Sequence, residues 1–115
     1  MTRATVEKPW GAYTVLGNGA GYQVKRLEVS PGKRFSLQKH SKRAETWIVV
    51  SGTGVVTLGS KQIPVKRASV IEVPLGEVHR AHNTGKEPLV FIEVQFGDYL
   101  GEDDIVRLED DFDRA

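Results

Sequence analysis

The sequence has no cysteine, so it has no disulfide framework, and the redox compartment of the protein is left open. No apolar run comes near the roughly 20 residues of a membrane-spanning helix, and residues 1–8 lack the apolar core of a signal peptide. Disorder is not expected either, because 39% of the 115 residues are hydrophobic and 27% are charged. These absences predict one small domain over residues 1–115, cytoplasmic and without a membrane partner.

The charged residues are divided unevenly along the chain. Residues 102–115 carry seven acidic side chains and two arginines, a net charge of −5, whereas residues 1–101 carry 14 basic and 8 acidic side chains, a net charge of +6. A positive body favours an anionic small molecule as partner, although a solvated surface gives the same count. Nucleic acid is not expected as a partner, because the basic residues are scattered and are not interleaved with exposed aromatic residues.

Turn-forming residues recur every eight to twelve positions, and the segments between them are rich in Val, Ile, Thr, Tyr and Trp. This pattern predicts an all-β sandwich or barrel over about residues 10–97. The glycine-rich segment 51–54 predicts a tight antiparallel hairpin between the strands on either side of it. The predicted strands are 12–16, 21–29, 34–40, 45–50, 54–58, 61–66, 69–73, 78–82 and 88–96.

The acidic tail, residues 98–115, differs from the rest of the chain. The three acids at 102–104 favour the start of a short helix, since acidic side chains stabilise a helix N-terminus. The alternative is an irregular, solvated tail that docks on the barrel through its apolar residues Leu100, Ile105, Leu108 and Phe112.

Four residues with possible metal-binding side chains have the spacing of a barrel site. Gln38 and His40 are two apart, so they project from one face of a strand, about 7 Å apart. Glu45 returns beside His40 after a turn of four residues, whereas His79 must be delivered by closure of the barrel. Two imidazoles, a carboxylate and an amide oxygen suit zinc, manganese, iron or cobalt. Because the Gln38 amide is a neutral and weak donor, the set is more typical of a reactive site than of a structural zinc site.

Short phrases that cover residues 8–107 carry a resemblance to a known family. They are KPWG at 8–11, YxVKRL at 22–27, PG at 31–32, SLQxH at 36–40, RxExW at 43–47, PxGxxHR at 74–80, IEVQ at 92–95 and YLGEDDIVR at 99–107. In them the chain resembles the cupin domain of type II mannose-6-phosphate isomerase, the isomerase part of a fused mannose-1-phosphate guanylyltransferase/mannose-6-phosphate isomerase. The resemblance implies an antiparallel cupin β-barrel or jelly roll, one divalent ion (usually zinc) at Gln38, His40, Glu45 and His79, and a homodimer.

The resemblance also implies a metal-dependent aldose–ketose isomerase that interconverts mannose 6-phosphate and fructose 6-phosphate, with a small sugar phosphate as partner. Such chemistry needs a base, an electrophile beside the reacting oxygens and an anchor for the phosphate. Glu93 faces the barrel interior by strand alternation and is a candidate base, or else pairs with Lys25 in a buried ion pair. The candidate catalytic residues are Arg43, Glu93, Arg80 and Lys25, and the candidate substrate-binding residues are Gln95, Trp47 and Ser36.

Several residues depart from the family pattern, and other functions stay open because of them. Thr46 stands where a histidine is usual and His82 where an acid is common, which favours a non-catalytic sugar-binding or regulatory cupin as the alternative. Another metal cupin enzyme, such as a dioxygenase or a different sugar isomerase, is a further alternative. A dioxygenase would more typically present three histidines, a pattern that Gln38 interrupts. Ala68 replaces an expected glycine. Because the guanylyltransferase domain is absent, a nucleotide-sugar activity is not expected. Strand alternation turns Arg80 away from His79 and favours a structural role for this arginine.

Overall fold

Short strands make up the regular structure of the protein. The computed structural model describes residues 4–114, which contain no helix, and so none that is long and apolar enough to cross a membrane. The strands are β1 (Thr5–Lys8), β2 (Gly11–Gly19), β3 (Tyr22–Val29), β4 (Leu37–Lys39), β5 (Ala44–Ser51), β6 (Gly54–Leu58), β7 (Lys61–Val65), β8 (Val70–Val73), β9 (His79–Asn83), β10 (Leu89–Phe96) and β11 (Val106–Glu109).

The strands form two antiparallel sheets that pack face to face. One sheet has six strands in the order β1-β2-β3-β10-β5-β8, and the other has five strands in the order β11-β4-β9-β6-β7. Every pairing between these strands is antiparallel. The prediction of an all-β, antiparallel fold is therefore confirmed.

Alternation along β5 and β10 determines which of their side chains face the interior of the fold. Odd-numbered residues of β5 from Glu45 to Val49 are buried, and so are Phe91, Glu93 and Gln95 of β10, because successive side chains of a strand point to opposite faces. Trp47 stacks on Phe91 at a centroid distance of 4.7 Å and lies edge-on to Phe35 at 6.0 Å. An apolar core therefore fills one part of the interior, and the polar residues of β5 and β10 lie beside it.

The predicted hairpin at 51–54 is wrong. β5 pairs with β10 and β8, whereas β6 pairs with β7 and β9, so the segment 51–54 crosses from one sheet to the other. Both glycines of the segment pass close to backbone: a Cβ on Gly52 would lie 2.5 Å from the Pro88 carbonyl oxygen, and one on Gly54 would lie 2.4 Å from that of His82. The glycines thus permit a close crossing, which a turn pattern alone cannot distinguish from a hairpin.

The helix considered for the acidic tail is also wrong. Residues 106–109 form β11, which pairs with β4 through Val106 opposite Lys39 and Arg107 opposite Gln38 and becomes the edge strand of the sheet. Of the four apolar tail residues expected to dock, Phe112 packs against the core, Leu100 and Ile105 are half-buried, and Leu108 is 46% exposed. Since β1 lies before residue 10 and β11 after residue 97, the sheets extend beyond the predicted barrel on both sides.

Candidate metal centre

His40, Glu45 and His79 meet inside the fold. His40 follows β4, Glu45 lies in β5 and His79 begins β9, so both sheets contribute to the group. His40 Nε2 lies 3.4 Å from Glu45 Oε2, and His79 Nε2 lies 3.7 Å from Glu45 Oε1. All three candidate ligand atoms lie within 4.8 Å of one another, and all three side chains are buried. The structure thus brings together three of the four predicted ligands.

Backbone carbonyls fix the orientation of both imidazoles. His40 Nδ1–H donates to the Asp104 carbonyl at 2.6 Å, and His79 Nδ1–H donates to the Glu77 carbonyl at 2.9 Å. Each Nε2 therefore presents its lone pair to the group, and His79 Nε2, although buried, has no hydrogen-bond partner. A ligand imidazole usually donates its other ring N–H in this way. The orphaned nitrogen and the converging lone pairs fit a bound divalent cation.

Both histidines are held neutral. Burial lowers the pKa of His40 to about 4, and the nearby Arg43 guanidinium contributes to this shift. Burial also lowers the pKa of His79. Neutral imidazole is the form that binds metal ions, so no proton has to leave these rings at neutral pH before an ion binds.

Neighbouring side chains hold Glu45 and Gln38 in place. Trp47 Nε1 donates to Glu45 Oε1 at 2.9 Å, and Arg43 Nε donates to Glu45 Oε2 at 2.9 Å. Ser36 Oγ donates to Gln38 Oε1 at 2.7 Å, and Gln38 Nε2 lies 3.3 Å from His40 Nε2. Rotating the amide by half a turn would direct Oε1 toward the histidines and let Nε2 donate to Ser36. Gln38 therefore borders the group and can offer it an oxygen.

A cavity opens beside this group, and its lining is rich in cationic residues. Gln38 and His40 connect the cavity to the candidate centre. Among the described residues, the other lining residues are the basic Lys8, Lys25, Arg43, Arg107 and Arg114, the acidic Glu93 and Glu102, and the apolar or aromatic Trp10, Tyr13, Leu27, Phe35 and Ile105.

Glu93 is the buried carboxyl group of this cavity. Gln95 Nε2 donates to Glu93 Oε2 at 2.9 Å, and Gln23 Nε2 donates in turn to Gln95 Oε1 at 3.3 Å. Burial and the neighbouring Glu45 carboxylate raise the pKa of Glu93 above its ordinary range. Lys25 lies opposite Glu93 in the strand register, but its Nζ donates to Glu102 at 2.6 Å. The alternative of a buried Lys25–Glu93 ion pair is therefore wrong.

Of the other predicted site residues, three hold neighbouring side chains of the site in place, and the fourth points away from the site. Ser36, Trp47 and Gln95 are buried and contact Gln38, Glu45 and Glu93. Arg80 points away from His79, as strand alternation predicts, and its Nε donates to the Phe35 carbonyl at 2.9 Å. Its Nη2 donates to the Glu109 carbonyl at 3.3 Å, so it fastens the tail to the barrel. Among residues 4–114, neither Thr46 nor His82 lines the cavity.

Sequence reasoning overlooked the contribution of the tail to the site. The Asp104 carbonyl orients His40, Glu102 binds Lys25, and Arg107 and Arg114 line the cavity. The phrase YLGEDDIVR at 99–107 was the signal, because a segment that only covered the surface would not need so specific a sequence.

Comparisons with known proteins agree with this architecture. Capsular polysaccharide assembling protein CapF from Staphylococcus aureus superposes with a TM-score of 0.79 and 22% identity, over 94% of this chain and 34% of that chain. Oxalate decarboxylase from Lactobacillus farciminis superposes with a TM-score of 0.80 and 21% identity, over 92% and 33%. A protein with a double-stranded β-helix domain from Klebsiella pneumoniae gives 0.74 and 23%, over 91% and 84%. At these identities the likeness concerns the fold alone.

The fold and the site together define a cupin barrel with a His–His–Glu group able to hold a metal ion. The chain belongs to the family described as mannose-6-phosphate isomerase C-terminal, whose model matches residues 1–110. It is 53% identical over 110 residues to xanthan biosynthesis protein XanB from Xanthomonas campestris pv. campestris, and 51% identical to alginate biosynthesis protein AlgA from Pseudomonas aeruginosa. These alignments cover 96% of this chain but only 24% and 23% of the relatives, so the chain spans about a quarter of their length.

Proposed function

We propose that the protein is a metal-dependent aldose–ketose isomerase that interconverts mannose 6-phosphate and fructose 6-phosphate. The observation that carries this proposal is the pair of imidazoles, each fixed by a backbone carbonyl, whose Nε2 atoms converge with Glu45 beside a cavity that contains a buried carboxyl group. Membership of the mannose-6-phosphate isomerase C-terminal family supports the choice of substrate.

We propose His40, Glu45 and His79 as ligands of one divalent ion, zinc in the first place, with the Gln38 amide oxygen as the fourth protein ligand. Manganese, iron and cobalt suit the same donor set. When bound, such an ion polarises the oxygens of the sugar and stabilises negative charge that develops on them. The immediate neighbours of the ligands then have a positioning role: Trp47 and Arg43 orient Glu45, and Ser36 orients Gln38.

Glu93 is the acid–base group in this proposal. It takes the proton from C2 of mannose 6-phosphate and returns a proton to C1, while the hydroxyl proton moves from the oxygen of C2 to that of C1. Two carboxyl groups line the cavity among the described residues, and Glu93 is the buried one, held by Gln95. Lys25 and Arg43 give the cavity the positive charge that an anionic sugar phosphate requires.

Turnover by metal-loaded protein tests this proposal. Protein stripped with a chelator and reloaded with zinc, manganese, cobalt or iron(II) is expected to convert mannose 6-phosphate into fructose 6-phosphate, and in deuterated water to introduce deuterium at C1 of the fructose 6-phosphate. Glu93→Gln is expected to retain the metal but to lose about 10²-fold or more in kcat. Sugar-phosphate binding without exchange at C2, with all four ions, would show a non-catalytic sugar-binding cupin instead.

We also propose that two copies of the chain pair through the outer face of the six-stranded sheet. Val70, Ile48 and Ile92 lie side by side on three neighbouring strands of this face. Val70 is 58% exposed and Ile48 is 43% exposed, and Val50 and Phe96 continue the apolar surface on β5 and β10. Contiguous exposed apolar surface of this kind is typical of a protein–protein contact. The cytoplasmic location expected from the sequence stays a prediction.

A further inference from the structure

The cationic side of the cavity contains two buried basic side chains that share one carboxylate. Lys25 is 3% exposed and Arg43 is 6% exposed. Lys25 Nζ lies 2.6 Å from Glu102 Oε2, and Arg43 Nη1 lies 3.6 Å from the same oxygen. Burying two cations is unfavourable unless an anion compensates them. In this structure Glu45 compensates Arg43 through Arg43 Nε at 2.9 Å, and Glu102, from the tail, is the carboxylate that Lys25 and Arg43 share.

The compensation by Glu102 is incomplete. Arg43 Nε donates to Glu45, and Arg43 Nη2 lies 3.2 Å from His40 Nε2, but Nη1 is buried and has no hydrogen-bond partner. Arg107 lines the same cavity and also has a buried Nε without a hydrogen-bond partner. Buried donors without an acceptor are costly. An oxyanion with more oxygens and more charge than one carboxylate satisfies such donors better.

Glu102 is also placed where it can be displaced. It lies between β10 and β11, outside both strands, and its side chain is 53% exposed. Burial opposes the ionisation of Glu102, but Lys25, Arg43 and Lys8 outweigh burial and lower the pKa of this carboxyl. Glu102 is therefore an ionised group bound to buried cations by an otherwise exposed side chain.

We propose that Lys25 and Arg43 form an anion subsite, which the Glu102 carboxylate occupies in the free protein and which a phosphate dianion takes over when it binds. The identification of this dianion as the phosphate of a sugar phosphate rests on the proposed function. The dianion brings additional oxygens to Arg43 Nη1, and Glu102 turns outward to solvent. Glu102 thus competes with the ligand and weakens its binding.

Binding of inorganic phosphate tests the subsite without any need for turnover. We would titrate phosphate into the metal-free full chain by calorimetry, so that phosphate cannot bind to a metal ion. If Glu102 occupies the subsite about nine-tenths of the time, Glu102→Gln strengthens phosphate binding about tenfold, because the apparent affinity scales with the fraction of competent protein. Asp98→Asn, which removes an exposed acid of the same tail, is the matched control and is expected to bind phosphate as the wild type does.

Lys25→Gln is expected to lose phosphate binding while it retains a cooperative unfolding transition. The subsite is refuted if Glu102→Gln binds phosphate no more tightly than Asp98→Asn. The isomerase assay is then run on the same samples, which separates the two proposals. Tighter phosphate binding by Glu102→Gln without turnover in any sample supports the subsite and removes the isomerase; turnover with unchanged phosphate affinity removes the subsite alone.

Discussion

At the scale of single residues, main-chain carbonyls prepare the candidate centre before any ion is bound. The Asp104 and Glu77 carbonyls select the same tautomer of His40 and His79 and direct both Nε2 atoms toward Glu45. Because both rings are buried, they stay neutral over a wide pH range. This arrangement lowers the stability of the metal-free protein at acid pH.

The pH dependence of unfolding in the metal-free protein follows from His40. Its pKa is about 4 in the folded protein and about 6.5 in the unfolded chain, so only the unfolded state binds a proton between these values. The contribution of His40 to stability is fully present above pH 6.5 and is lost as the pH falls toward 4. It amounts to about 2 kcal/mol between pH 7.5 and 5.

Urea unfolding of wild type and His40→Gln at several pH values measures this contribution. Glu93, whose pKa is raised, acts in the opposite direction, so the difference between the two proteins isolates the histidine. The free energy of unfolding of His40→Gln is expected to fall less between pH 7.5 and 5 than that of wild type. Parallel pH profiles would contradict the neutral state assigned to His40.

The backbone conformation of Ala68 is a second feature of a single residue that lowers the stability of the protein. Its φ is +74°, in the left-handed region that favours glycine, and the turn is closed by hydrogen bonds from Ala68 N to the Val49 carbonyl and from Ser69 N to the Lys66 carbonyl. Ala68→Gly is expected to stabilise the protein by about 0.5–1 kcal/mol, since the left-handed penalty of a Cβ exceeds the added entropy of the unfolded chain. Ala20→Gly, in another exposed turn but without positive φ, should not stabilise it. Thermal melts compare the two variants, and equal shifts would refute the role of φ.

At the scale of elements, the tail is a structural part of the site. β11 extends the five-stranded sheet beside β4, and the Asp104 carboxylate accepts hydrogen bonds from Ser41 N, Ser41 Oγ and Lys42 N at 2.9–3.0 Å. These contacts hold the Asp104 carbonyl against His40. The tail therefore links strand pairing at the sheet edge to the orientation of one candidate metal ligand.

Asp104→Ala is expected to loosen this element. Loss of three hydrogen bonds to a carboxylate should lower the free energy of unfolding by about 1–3 kcal/mol. Amide hydrogen exchange in residues 98–109 should become faster, and zinc affinity should fall by about tenfold or more as His40 loses its fixed orientation. Asp98→Ala is the control in the same tail. Unchanged exchange and zinc affinity in Asp104→Ala would show that the tail does not position His40.

Local patterns predicted the strands well and their partners poorly. Turn residues and composition located β5 and β10, and alternation correctly placed Glu93 on the inner face. The prediction of a hairpin at 51–54 was wrong, because the glycines of this segment permit a crossing between the two sheets. The backbone that they approach, at Pro88 and His82, is distant in sequence. The strand β11 was missed for the same kind of reason, since among the described residues it pairs only with the short strand β4, which is distant in sequence. The crossing at 51–54 and the strand β11 both depend on pairing between strands that are distant in sequence, and local residue propensities do not predict such pairing.

At the scale of the whole molecule, the two halves of the charge distribution compensate each other. The acidic tail pairs with the basic body through Glu102 with Lys25 and through Asp111 with Arg34, which binds it by two hydrogen bonds of 2.8 and 3.0 Å. The positive body inferred from the sequence is thus partly neutralised by the chain itself. Among the described residues, the arginine donors that are buried without a hydrogen-bond partner belong to Arg43 and Arg107, which both line the cavity.

The proposed dimer is also a property of the whole molecule. Ile48→Glu places a charge in the middle of the apolar row that runs across β8, β5 and β10, and it is expected to shift the protein from dimer to monomer in sedimentation equilibrium. Leu75→Glu introduces the same charge at a residue that is 60% exposed in the loop between β8 and β9, and should leave the mass unchanged. A monomeric wild type, or an Ile48→Glu variant that is still dimeric, would contradict this interface.

The central claim, that the buried His–His–Glu group binds an ion and that this ion supports isomerisation, is tested most directly by one paired measurement. Metal content and mannose 6-phosphate turnover are determined on the same zinc-loaded samples of wild type, His79→Ala and His82→Ala. Wild type and His82→Ala, whose substitution lies on the same strand but away from the cavity, should each bind one ion per chain and form fructose 6-phosphate, whereas His79→Ala should lose both properties. Stoichiometric zinc and full turnover in His79→Ala would contradict the account.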